Sequence, residues 1–463
     1  MSKKITFIGG GSYQWVPVLF RDIAVNSHLQ ASRFVLHDID AGRNAELAGV
    51  CRTIGRKVKS GVAVEVEASL DRALEGADAV ILCISTGGLD AMEHDIEIPK
   101  KYGIYQPVGD STGPGGISRT LRNVPVVVSL ARKMERLCPE AWLLNLTNPM
   151  DQIVRAVHRT SSIKVVGLCH EFKSFMSSVE ALLGLGDWEK EVSATIAGIN
   201  HFAWVTELKV NGRDGLRLLR ERLADPSSAG GGGNAVNLSD SVHSNKLKFH
   251  LFETYGLVPY PGDRHLAEFF PYFLSKKTEY GAAFGVELTS IDDRRHKWIG
   301  YFKERIAEWT NDDPASVPLK PSSESLAPIL ASLLSDGPAT VQPVTLPNQG
   351  QVANLPLGSS VETLATVVGG SLVPHASGSL PAPILALVHK HCLIQDLTVD
   401  AAIEGSREKA LQAMLADPLN NNNDIREIAT MLDELLEANA GLLPQFFSQP
   451  VRHGAKTEAL LPA

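Results

Sequence analysis

Ile5-Thr6-Phe7-Ile8-Gly9-Gly10-Gly11-Ser12 is a short apolar run that ends in glycines. Behind it, Val16, Leu19, Phe20 and Ile23 share one helical face, with Pro17 in the first turn, where its missing N–H is tolerated. The next apolar run, Arg33–His37, ends in Asp38-Ile39-Asp40. Strand, glycine turn, helix, strand and acid is the order in which a βαβ unit cradles a dinucleotide. Gly9 permits the tight turn. Gly11, followed by Ser12, lets the backbone approach a pyrophosphate at the helix N-terminus. The third fingerprint position is Gln14 rather than glycine, so the helix cannot pack as closely on its strand. Asp38 stands where a carboxylate accepts a ribose hydroxyl, which favours NAD over NADP. The plainer alternative is a simple turn followed by a solvated strand end.

Four more runs have strand character: residues 62–66, 79–84, 142–146 and 165–168. The last three end in Ser85-Thr86-Gly87-Gly88, Thr147-Asn148-Pro149 and Cys169-His170. Helical periodicity lies between them, as at residues 124–138. The pattern predicts an α/β fold with a Rossmann-type, doubly wound parallel sheet covered on both faces. Ligands then bind beyond the carboxyl ends of the strands, where these polar residues fall. The second half is less regular. A Gly/Ser-rich loop is expected at 224–234, amphipathic helices at 406–416 and 425–438, and a loose tail at 452–463. The expected division is a nucleotide-binding domain at 1–195 and a second domain at 196–463.

The chain has 463 residues, 44% hydrophobic and 21% charged, with a formal net charge of −8. An acidic chain without a Lys/Arg block is a poor nucleic-acid binder. No apolar run approaches the roughly 18 residues of a membrane span. The N-terminus has no signal-peptide pattern. Five cysteines, odd in number and without a CxxC pair, indicate reduced thiols and a cytoplasmic setting. Cys169 after its strand and His201 within Gly198-Ile199-Asn200-His201-Phe202 are a thiolate and an imidazole that suit a divalent transition ion. Each taken alone also reads as an ordinary core residue.

Taken in order, these motifs resemble glycoside hydrolase family 4. The residues that carry the resemblance are Gly9-Gly10-Gly11-Ser12, Gly109-Asp110-Ser111-Thr112-Gly113-Pro114-Gly115-Gly116, Leu121-Arg122-Asn123-Val124-Pro125, Thr147-Asn148-Pro149, Cys169-His170-Glu171-Phe172 and Gly198-Ile199-Asn200-His201. The resemblance implies a Rossmann domain followed by an α+β domain like the second domain of lactate and malate dehydrogenases. It also implies NAD, a divalent metal (commonly manganese), and assembly as a homodimer or homotetramer. The implied chemistry is C3 oxidation of the sugar, removal of the C2 proton, elimination at C1, water addition and re-reduction.

By the same resemblance Cys169 and His201 are the metal ligands, and Gly9, Gly11, Ser12, Asp38 and Ser85 hold the nucleotide. Asn148 binds sugar hydroxyls and Asp110 stands close to the metal. His170 is the acid at the leaving oxygen. The base is expected at Asp263, with Tyr260 as runner-up. Cys169-His170-Glu171 is similar to the α-galacturonidase subgroup, and Ser85 stands where phosphoglycosidases carry an arginine. The expected substrate is therefore an α-galacturonide, with Arg119 or Arg264 facing its carboxylate. An α-glucuronidase, α-galactosidase or α-glucosidase of the same family is the nearest alternative. An NAD-dependent 2-hydroxyacid dehydrogenase is the next, and a non-catalytic NAD sensor the third.

Overall fold

The computed structural model describes residues 2–224 and 245–447. All but the first residue of the loop expected at 224–234, and all of the tail expected at 452–463, lie outside them. Six parallel strands build the first half: β1 (Lys4–Ile8), β2 (Arg33–His37), β3 (Ala63–Val66), β4 (Ala79–Leu82), β5 (Trp142–Asn145) and β6 (Lys164–Gly167). Their spatial order is β3-β2-β1-β4-β5-β6, the doubly wound Rossmann order that the sequence predicts. Successive side chains point to opposite faces, so all but the edge strand β3 are buried twice. Ile5, Phe7, Ala79, Ile81, Leu144 and Val166 pack into one core with α1 (Val16–Val25) and α2 (Ala41–Lys57). Val80, Leu82, Leu143 and Val165 pack into the core on the other face.

The sheet does not stop at β6. It continues through seven further strands: β7 (Val192–Ile199), β8 (Phe202–Val210), β9 (Arg213–Asp214), β10 (Val258–Pro259), β11 (Thr340–Pro347), β12 (Ser360–Val368) and β13 (Ser371–Pro374). β11 joins β6 in antiparallel fashion at Thr345 and Gly167, and the order runs on β11-β12-β7-β8-β10. The boundary drawn at 195/196 falls inside β7. The helices expected near the end form at Arg407–Ala416, capped by Ser406, and at Ile425–Ala438, capped by Asp424. Among the described residues no helix is long and apolar enough to cross a membrane, and all five cysteines are free.

Periodicity alone started one helix too late. The helix expected at residues 124–138 begins at Gly113 and runs to Leu137. Its first turn, Gly113-Pro114-Gly115-Gly116, reads locally as a helix breaker. Packing explains the glycines: a Cβ on Gly116 would lie 2.6 Å from the Ser111 carbonyl carbon, and one on Gly115 2.9 Å from Asp95 O. The missing local cap comes from far away. Asp417 Oδ2 accepts the Gly113 N–H at 2.9 Å and the Thr112 hydroxyl at 3.0 Å.

The same helix buries Arg122, whose Nη1 and Nη2 each lie 2.7 Å from one oxygen of Asp95, the pair being 1% and 0% exposed. Arg122 Nε also donates to Thr86 O at the end of β4. Asp95→Ala leaves that guanidinium buried and unpaired, so it should cost about 3–5 kcal/mol, read as a lower urea midpoint.

Candidate active site

The glycine turn is tight and closed by its own backbone. Gly9 has φ +100°, and a Cβ there would sit 1.9 Å from Cys83 O. The amides of Gly9 and Gly10 both donate to His37 O at 3.0 Å. The Gly11 amide donates to Asp38 Oδ2 at 2.8 Å, so the acid that ends β2 is tied to the turn it follows. Ser12 Oγ accepts from the Trp15 amide and its carbonyl from Val16, closing the first turn of α1. Ile39, next to Asp38, is fully exposed and offers an apolar face beside the acid. The acid and the exposed apolar side chain beside it fit a dinucleotide's ribose and base.

A chain of hydrogen bonds leads from here across the strand ends. Arg119 donates from Nη2 to Ser85 Oγ and from Nε to Asn148 O, both at 3.2 Å. Asn123 takes the Thr86 amide at 3.1 Å and gives its Nδ2 to Asn148 O at 2.8 Å. One face of the Gly113–Leu137 helix therefore fixes the loops after β4 and β5. Asn148 Nδ2 in turn donates to Asp110 Oδ2 at 2.9 Å.

Asp110 belongs to a group that could hold a cation. Its carboxylate and the imidazoles of His201 and His265 have ligand atoms all within 4.8 Å of one another. His201 sits at the tip of the two-residue β7–β8 turn with φ +62°, a strained setting for a non-glycine residue. Its ring stacks on that of His265 with centroids 3.6 Å apart. Burial, reinforced by His265, pushes His201 down to about 3, so the ring is neutral near pH 7. Burial opposes the Asp110 charge, yet His265, His201 and Arg119 hold its carboxyl below the ordinary value. Ser111 Oγ lies 2.9 Å from Asp110 Oδ1 and 2.7 Å from His201 Nδ1. A carboxylate only accepts, so the hydroxyl proton goes to Asp110 and His201 Nδ1 donates to Ser111. His201 Nε2 then keeps its lone pair. Two buried atoms, His265 Nδ1 and Asn148 Oδ1, have no hydrogen-bond partner among the described residues. Two imidazoles, a carboxylate and two orphaned polar atoms fit a divalent ion and a hydroxylated ligand.

Cys169 is not in this group. Burial, then Glu362 and Glu171, push its thiol well up, and Asn200 is its hydrogen-bonding neighbour. Glu362 accepts Asn200 Nδ2 at 2.8 Å, Thr345 Oγ1 at 3.1 Å and the Tyr260 hydroxyl. A second buried polar cluster thus lies directly behind the His201 turn. Asp263 is buried, with its two oxygens on the amides of Leu247 (2.9 Å) and Lys248 (3.1 Å) at the start of the helix Lys246–Tyr255. Arg264 donates to Pro107 O at 2.6 Å, Thr289 Oγ1 at 2.6 Å and Glu287 O at 3.0 Å. His170 stands at the N-terminus of the helix Glu171–Leu183, half-exposed, with Nδ1 3.5 Å from Glu324 Oε1. Glu171 carries the Gly262 amide, which ties the 260–265 segment to the end of β6.

Residue-by-residue reading missed two members of the site. His265 is the residue after Arg264, but only the third dimension sets it against His201 and Asp110. Arg294 lies in an irregular π-turn, Arg294–Trp298, with no periodic signature. Its guanidinium, 5.8 Å from the Trp298 ring, has no hydrogen bond or ion pair among the described residues. Burial lowers its pKa, while Asp110 is its largest charged neighbour.

The sequence matches the family 4 glycosyl hydrolases over residues 4–185 and their C-terminal domain over 196–420. The α-galacturonidase of Bacillus subtilis is 36% identical over 426 residues, spanning 90% of this chain and 93% of that one. The crystal structure of lplD from Bacillus subtilis superposes with a TM-score of 0.84 at 34% identity, covering 94% of this chain and all of that one. A Thermotoga maritima 6-phospho-β-glucosidase, solved with manganese, NAD+ and glucose-6-phosphate, shares the fold at 24% identity and a TM-score of 0.76, over 95% and 99% of the two chains. With matches over both halves and a relative at this identity along nearly its whole length, the chain belongs to the family 4 glycosyl hydrolases.

Proposed function

We propose that this glycosidase hydrolyses α-galacturonides, using NAD and a divalent metal ion, manganese being the best fit. The observation that carries the reading is the continuous chain of polar contacts from Ser85, beside the glycine turn, through Arg119 and Asn148 to Asp110, His201 and His265. It joins a nucleotide cradle to a cation-binding group, as oxidation followed by elimination requires. The curated α-galacturonidase named above supports the substrate class.

When bound, NAD would supply a hydride acceptor and the divalent ion would supply Lewis acidity at the sugar hydroxyls. His201 and Asp110 would hold that ion, with Cys169 as the further ligand that the resemblance implies. The chain's own groups do the rest. Asn148 Oδ1, buried and without a donor, is suited to accept a sugar hydroxyl. His170, paired with Glu324, delivers a proton to the leaving oxygen. Asp263 is the base in the first reading. A specific observation favours a second: the carboxylate of Asp263 and the hydroxyl of Tyr260 are both occupied by neighbours, whereas His265 Nδ1 is unpartnered and 3.8 Å from Asp110 Oδ1. Arg119 or Arg264 would face a C6 carboxylate as first read, but both spend donors on loop carbonyls and hydroxyls; Arg294, with no hydrogen bond or ion pair among the described residues and Asp110 as its largest charged neighbour, is the further candidate.

Three outcomes test this. Exhaustive chelation, or charcoal removal of nucleotide, should each abolish hydrolysis of p-nitrophenyl α-galacturonide. His201→Ala and Cys169→Ser should each weaken Mn²⁺ binding by at least about tenfold, while the far-UV CD spectrum stays unchanged. Full activity in the stripped protein would reject the mechanism.

Turnover in D₂O should place deuterium at C2 of the released sugar, read by NMR. If Asp263→Asn stops the exchange while Mn²⁺ binding holds, Asp263 is the base. If His265→Gln does so instead, the second reading stands.

The α-galacturonide should outpace the α-galactoside and α-glucuronide, the neutral sugar losing on the order of 10²-fold in kcat/KM. Arg294→Met should erase most of the preference over the galactoside. Faster cleavage of the galactoside by the wild-type enzyme would overturn the substrate class and leave the family unaffected.

A further inference from the structure

Asp110 stands in a loop, and something must hold that loop against the two histidines. Glu268 follows directly on the short helix Asp263–Ala267 that carries His265. It is 1% exposed, and its Oε1 accepts the amides of Val108 at 2.6 Å and Gly109 at 2.7 Å. Gly109, with φ +70°, is the turn residue immediately before Asp110. The same helix secures the residue before these amides, because Arg264 Nη2 donates to Pro107 O. Residues 107, 108 and 109 are thus all tied to the helix that presents His265. Asp417 secures the far side of the loop at Thr112 and Gly113.

On the reading that Asp110, His201 and His265 frame the metal centre, we propose that Glu268 is a positioning residue: by binding the Val108 and Gly109 amides it sets Asp110 against the histidines and so fixes metal affinity. A carbonyl oxygen at the end of a two-methylene arm is all this task requires. Its contact with the loop is made by one acceptor oxygen, held on two amides, so it acts through its reach and that oxygen. Oε2 has no partner among the described residues, so nothing else claims the group. An amide of the same length keeps the acceptor, whereas a shorter acid withdraws it.

The test compares Glu268→Gln and Glu268→Asp in the full-length chain, with Mn²⁺ titrated into chelator-stripped protein and free Mn²⁺ followed by EPR. Glu268→Asp should raise the Mn²⁺ Kd by at least about tenfold, and Glu268→Gln should stay within about threefold of wild type. The NAD Kd, followed by fluorescence, should move by less than about twofold in both. If Glu268→Asp does not fold, Glu268→Met, of similar volume but without a strong acceptor, replaces it with the same expected loss. An unchanged Mn²⁺ Kd in the shortened variant overturns the proposal. So does an equal loss in Glu268→Gln, or a parallel loss of NAD that marks a general scaffold role. Asp110→Asn separates the two levels: if it leaves Mn²⁺ binding intact, the metal-centre reading fails and the proposal with it, whereas a loss in Asp110→Asn without a loss in Glu268→Asp overturns the role of Glu268 alone.

Discussion

The site depends on a carboxylate held almost out of water. Asp110 has a side chain only 14% exposed, so its charge must be met from within the protein. Ser111 and Asn148 donate to its two oxygens, His201 and His265 lie against it, and Arg119 and Arg294 contribute positive charge nearby. Five separate elements fix these six groups. Ser111 and Arg119 come with the Gly113–Leu137 helix and the loop before it, Asn148 with the end of β5, and His201 with the β7–β8 turn. His265 comes with a five-residue helix and Arg294 with a π-turn. Local motion in any one of them would leave a buried charge partly uncompensated, at a cost of kcal/mol rather than tenths.

That convergence explains what could and could not be read from the chain. The Rossmann half was legible because its strands are buried on both faces and write themselves as unbroken apolar runs. The place of Asp38 beside the glycine turn was legible because it depends only on following β2. The glycine-rich start of the Gly113–Leu137 helix was not, because its fitness lies in close approach to Ser111 and Asp95 and in a cap from Asp417, more than 300 residues away. Motif order pointed to Asp110, Asn148 and His201, and the fold brings them together. It could not tell that Arg264 spends its donors on Pro107, Glu287 and Thr289, or that His265, two residues from Asp263, faces the carboxylate. A one-residue step on a short helix rotates a side chain by about 100°, and no sequence pattern in so short a segment reveals that phase.

The two ligand-binding tasks place different demands on the fold. Contacts that shape the glycine turn run among Gly9, Gly10, Gly11, His37, Asp38 and Cys83, all within the first Rossmann strands and turns. The cation group takes Asp110 from the first half and His201 and His265 from the second. The single sheet links these requirements mechanically. β11 joins β6 next to the loop that carries Cys169, and β12 carries Glu362 to Asn200 and Tyr260. The second half is therefore part of the same slab of backbone, and the nucleotide cradle and the cation group cannot drift independently.

The arrangement of the two imidazoles also separates the enzyme classes weighed at the outset. A simple hydroxyacid dehydrogenase needs one histidine, protonated in turn by an aspartate-oriented cycle, and an arginine for its substrate. Here two imidazoles stack at 3.6 Å over the same carboxylate. Protonating both would set like charges face to face in a buried site, so at least one ring must stay neutral. His201 is that ring, since burial holds it neutral and Ser111 fixes its proton on Nδ1. A neutral imidazole with a bare Nε2, beside an ionised carboxylate, is a poor acid but a good ligand. The second ring stacks on the first and lies against the same carboxylate, so both imidazoles face one charge, an arrangement that a single acid–base dyad does not need.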